Sequence, residues 1–178
     1  DSVASRGLGD VYKRQVESCA SSNFDFPEFD VQFSFQRRPI SLPGDLRPTW
    51  RIGLLTILMV QCCRQQRSSL TRLHVLSWAV RSEENYEDML ALIAGDLSPD
   101  ALIVRFDPAV NRAIDFAIGE KLMARVDGSR IELTASGKNF AKEIFDDINV
   151  YSTEKSLAAS LKLKVSETLV DSIFGVRK

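Results

Sequence analysis

Apolar residues recur at helical spacing along much of the chain. After Pro48, Trp50, Leu54, Leu55, Leu58 and Cys62 fall on one face and predict a helix to about Cys63. Proline suits that first turn, where its missing N–H has no partner to lose. Leu70, Leu73, Leu76 and Val80, flanked by Val75 and Trp78, predict a second helix to about Arg81. Ser68 or Ser69 would cap it. A third helical stretch covers 85–93 and stops at Gly95. Asp107 and Pro108 then open a fourth, over 108–122, as cap and first residue. Its apolar face is Val110, Ile114, Ala117, Ile118 and Leu122, and Gly119 weakens its end.

The period then changes from helical to alternating. Leu122, Ala124 and Val126 lead to Asp127-Gly128, and Ile131 and Leu133 follow. Both residues of an Asp-Gly pair accept positive φ, so the pattern predicts a tight hairpin. Thr134 caps a further helix whose core face is Phe140, Ile144 and Ala141. Helices, an Asp-Pro helix and a hairpin, in that order, predict a mainly α fold with a small β-hairpin. The expected architecture is a winged helix-turn-helix domain over 48–150. Beyond it, Leu157, Leu161, Val165, Leu169 and Ile173 recur at helical spacing among lysines and glutamates. They predict one or two amphipathic helices in a tail over 151–178, suited to docking on the domain or on another chain.

Upstream, residues 1–22 carry glycine, serine and charge without period and are expected to be disordered. Positions 1–15 read as translated adapter sequence and are set aside. The segment 23–47 begins with an arm holding Phe24, Phe26, Phe29, Phe33 and Phe35. Val31, Phe33 and Phe35 alternate as in an extended strand, while Pro27 argues against a central one. The arm either packs over its own core or meets a partner. Pro39, Pro43, Gly44 and Pro48 make a linker after it.

Charge changes the picture through its distribution. The net charge is only -1, so nothing global points to nucleic acid. Between positions 37 and 81, however, the bases are Arg37, Arg38, Arg47, Arg51, Arg64, Arg67, Arg72 and Arg81, against the single acid Asp45. Arginine suits interfaces and phosphates because its planar fork makes two hydrogen bonds at once. Arg47, Arg51, Arg64, Arg67 and Arg72 are therefore candidate phosphate contacts, and solvated helix faces are the alternative. From 82 to 150 acids outnumber bases.

Little else suggests chemistry. Cys19, Cys62 and Cys63 have no disulfide or metal spacing, and the adjacent pair reads as small buried hydrophobes in a reducing compartment. The single histidine, His74, lies in an apolar helix without companions for a metal or catalytic site, so it reads as a structural or interface residue. The carboxylates Glu83, Glu84, Glu87 and Asp88 read as a solvated acidic face. No phosphate loop, nucleophile elbow or zinc-protease motif occurs. The expectation is a chain without catalysis, cofactor, metal or small-molecule substrate. No apolar run reaches membrane-spanning length and no signal peptide is visible, so a cytoplasmic location is expected.

DNA reading is the common use of a winged helix, and its inserted helix would be 108–122. Its polar residues Asn111, Arg112, Asp115, Glu120 and Lys121 are charge-balanced, as are the wing residues Arg125, Asp127, Arg130 and Glu132. Asn111 and Arg112 suit base edges or a partner protein. Neutrality favours the protein, because a groove-reading helix meets phosphates with a positive excess.

The runs RPTWRIGLLTILMVQCC, SLTRLHVLSWAVRSEEN, LIVRFDPAVNRAIDFAIGEKLM and ARVDGSRIELTASGKNFAKEI carry a resemblance over 47–148. The chain is similar to the small middle component of bacterial three-component ABC systems, and to the accessory subunit of Lamassu-type anti-phage defence. The resemblance implies a non-catalytic subunit docking on an SMC-like ATPase and on an effector, often a nuclease, with DNA met through the complex. Matching positions include Leu73 to Leu76, Arg81 to Asn85 and the turn Arg105, Phe106, Asp107, Pro108. Arg81, Arg105, Asn111, Arg112, Leu169, Ile173 and the phenylalanine arm are the expected partner contacts. The charges near Arg81 and Arg105 equally suit holding helices in register. A winged-helix DNA-binding regulator is the alternative function.

Overall fold

The computed structural model describes residues 46–175. The expected leader and the arm with Phe24, Phe26, Phe29, Phe33 and Phe35 lie outside them. The described residues belong to one compact unit, Ser41–Lys178. They form a mainly helical fold with a small antiparallel sheet. In chain order the elements are α1 (Pro48–Cys62), β1 (Arg67–Ser69), α2 (Leu70–Ala79), α3 (Glu83–Ala94), α4 (Pro108–Gly119), β2 (Met123–Val126), β3 (Arg130–Leu133), α5 (Ala135–Asp146), α6 (Ser152–Leu161) and α7 (Glu167–Ile173).

Local chemistry sets most of these boundaries. Ser69 caps α2 through Arg72 N, Ser82 caps α3 through Asn85 N, and Thr134 caps α5 through Gly137 N. Gly95 ends α3 in the left-handed region at φ 88°, where a side chain would be strained. Asp127 and Gly128 turn the hairpin with φ values of 50° and 77°.

Helix α1 is the axis of the molecule. Every residue from Arg51 to Met59 is buried. The spacing predicts one apolar face, yet the whole circumference is covered, because apolar clusters form on two sides. On one side Leu54, Ile57, Leu58 and Cys62 meet Val75, Leu76 and Met89 together with Ala158, Leu161, Val165 and Val170 of the tail. On the other, Ile52, Leu55 and Met59 meet Leu73, the α4 residues Val110, Ala113, Ile114 and Ala117, and Met123, Ile131 and Leu133. The tail helices thus complete the core rather than lying beside it.

The sheet has the order β1-β3-β2, with both pairs antiparallel. Two details differ from expectation. Strand β1 is a three-residue segment of Arg67, Ser68 and Ser69, with no hydrophobic alternation to announce it. In β2 the inward residue is Met123, not the alternating set Leu122, Ala124 and Val126. Lys121, at φ 59°, turns the chain before the strand, so the pleat starts one residue late. For the same reason α4 ends at Gly119 rather than at 122.

Candidate functional site

Asp107 gathers the charges around the start of α4. Its Oδ1 accepts from Ala109 N at 2.9 Å, capping the helix. Its Oδ2 accepts from Arg51 at 2.7 Å and Arg81 at 3.3 Å. Partial burial pushes this carboxyl up, but the Ala109 amide and the Arg51 and Arg81 guanidiniums outweigh it and hold it below the usual 3.8. His74 is buried next door. Its Nδ1 accepts from Asp107 N at 3.4 Å, so Nε2 donates the 2.9 Å hydrogen bond to Asn111 Oδ1. Phe106 closes the group, edge-on to His74 and stacked on Phe174 at 5.2 Å.

This node accounts for several candidates. Arg51 is 6% exposed, so it faces Asp107 rather than solvent. Arg81 is half exposed and bound to the same carboxylate, which ties α1 and the end of α2 to the start of α4. Arg105 is exposed. Leu169 and Ile173 are half-buried against the core, so part of their apolar surface is used within the chain.

The outer face of α4 is different in kind. Asn111, Arg112, Asp115 and Phe116 are exposed. Asn111 is already engaged by His74, and Asp115 accepts from Arg125 of β2 at 2.9 Å. Arg112 makes no ion pair among the described residues. Phe116 is 55% exposed. Phe116 stands one residue before the buried Ala117 and so lies off the apolar stripe that the spacing marks.

The remaining arginines converge elsewhere. A cleft of about 220 Å³ is lined by Arg64, Arg67, Ser68, Arg72, Arg130 and Glu167. Gln65 and Gln66, at φ 56° and 57°, make the tight turn that delivers β1 to it. Arg72 is 6% exposed, donates through Nη2 to Cys62 O at 2.6 Å, and has no partner at Nε. Arg67 makes a two-pronged contact with Glu132 at 3.2 and 2.8 Å. Arg64 and Arg130 are exposed and make no ion pair among the described residues. Glu167, from the tail, accepts from Ser69 N at 3.0 Å and Ser69 Oγ at 2.6 Å, and lies 3.9 Å from Arg72. Arg47 is exposed at the start of α1. Of the five candidate phosphate contacts, Arg64, Arg67 and Arg72 share this cleft. Arg130 and Glu167 were not legible as members, because the hairpin and tail that deliver them are distant in sequence.

Cys62 and Cys63 are buried, and burial pushes the Cys62 thiol up to about 12. Such a thiol stays protonated and unreactive. Among the described residues no three His, Cys, Asp or Glu side chains come together in a way that could hold a metal. No described helix is long and apolar enough to cross a membrane. The chain matches no family model, no curated protein and no solved structure.

Proposed function

We propose that the chain is a winged-helix accessory subunit without catalysis of its own, which docks on partner proteins through the outer face of α4. The succession α1, β1, α2, α4, β2, β3 and the strand order β1-β3-β2 support a winged helix, with α3 inserted before the helix in the groove-reading position. The observation that carries the docking reading is Phe116, an aromatic side chain 55% exposed in the last turn of that helix. Desolvating such a side chain in a partner pocket is what makes an aromatic anchor at a protein interface. Around it the charges balance, and Asn111 already serves His74, so little remains for base edges.

The partners that fit are those of the resemblance, an SMC-like ATPase and a nuclease-type effector, with DNA reached through the assembly. This role requires no cofactor, metal, small-molecule substrate or membrane, and a cytoplasmic setting suits it. The test is affinity purification of the tagged full chain from its native operon context, with and without nuclease. Stoichiometric recovery of both partners, unchanged by nuclease, is the expected outcome. Nucleic acid without a stoichiometric protein would instead establish a DNA-binding regulator, the second reading, which the arginine cleft favours.

A further inference from the structure

The cleft beside β1 holds more cationic donors than its own acid can satisfy. Its lining carries Arg64, Arg67, Arg72 and Arg130 against the one carboxylate Glu167. Glu132 and Asp127, at 2.8 and 3.7 Å, answer Arg67. Glu167 binds where an anion would, at the N-terminus of α2, taking the Ser69 amide and hydroxyl. Its two oxygens leave donors over. Arg72 reaches it only at 3.9 Å, and the Arg72 Nε is buried without a partner. A buried guanidinium donor left unpaired carries a desolvation cost that an incoming anion would relieve. Ser68, 1% exposed, lines the same cleft.

We infer that this cleft binds a phosphate group, free or in a nucleic-acid backbone, held by Arg64, Arg72 and Arg130, with the Glu167 carboxylate as the internal anion it displaces. Phosphate fits better than a second carboxylate. It offers more oxygens and more charge, and the fork of arginine matches its geometry. The cleft contains no residue of α4, so the inference stands independently of the docking role assigned to that helix. It predicts contact with the backbone and no sequence preference. Displacement of Glu167 would also loosen α7, because Glu167 is the first residue of that helix.

The test uses the full chain at low salt with two probes, inorganic phosphate and a duplex of about 20 base pairs, with polyglutamate as the control anion. Phosphate is expected to shift the amide resonances of Ser69 and Arg72 and to compete with the duplex. Arg64→Glu with Arg130→Glu, both exposed and outside the core, is expected to weaken both probes by roughly tenfold or more. Glu167→Gln, which keeps the side chain's shape, is expected to tighten them by about threefold. Phosphate binding without duplex binding would support the site and assign it to the free anion. Three results would overturn it: neither probe binding, polyglutamate binding as well as phosphate, or affinity indifferent to the Arg64 and Arg130 substitutions.

Discussion

Two groups of arginines, drawn mostly from one stretch of sequence and joined by Arg130 of the hairpin, end in opposite situations. At the start of α4, Arg51 and Arg81 converge on Asp107, and the carboxylate also caps the helix. Beside β1, Arg64, Arg67, Arg72 and Arg130 crowd a cleft with one lining carboxylate. In the first, closed group each arginine has a carboxylate from within the chain, and the buried Arg51 Nε, like the Arg72 Nε, is without a partner. The second is open, with donors in excess. A run of arginines in sequence is therefore not a basic face. What sorts them is whether the fold brings an acid to each.

The largest effect should come from the closed group. Asp107→Ala removes the cap and leaves the buried Arg51 unpaired, and a loss of about 3 kcal/mol is expected in urea denaturation. A loss under about 1 kcal/mol would show that Arg51 reaches water, and would break the contrast. Arg72→Met, in the open group, should cost less, about 1–2 kcal/mol, because it frees the Cys62 carbonyl but also removes an unpaired Nε.

Acid should separate the groups further. The Asp107 carboxyl titrates below its ordinary value of 3.8 in the fold, so its contribution is present above that value and is lost as pH falls below it. Asp107→Asn should lack this part of the acid dependence, and superimposable acid profiles for the two proteins would show that the ion pairs contribute nothing. The smallest effect is expected from Arg64→Glu. Its stability should stay within about 0.5 kcal/mol of the parent chain, since the residue is exposed and makes no ion pair among the described residues.

The same contrast explains what sequence alone could reveal. Helices α1 to α5, the Asp107 and Thr134 caps, a serine cap at 68 or 69 that falls on Ser69, and the Asp127-Gly128 turn were legible, because each depends on residues close together in the chain. The Asp107-Pro108 turn was legible as a helix start, but its partners Arg51 and His74 come from α1 and α2 and needed the fold. Strand β1 was invisible because Arg67, Ser68 and Ser69 carry no period. Its identity comes from pairing with β3, where Arg67 stands opposite Glu132. The cleft was half legible. Three of its arginines were marked as phosphate contacts, while Arg130 and Glu167 join them only through the hairpin and the tail. Phe116 was not legible, because helical spacing marks the apolar stripe and this residue lies off it.

The most direct test of the docking role is to repeat the purification from the native operon context with Phe116→Asp combined with Arg112→Glu. Both positions are exposed, so thermal stability should be unchanged while the ATPase and the effector are lost from the purified material. Full recovery of both partners with the variant would show that the outer face of α4 is not the docking surface and would contradict the account.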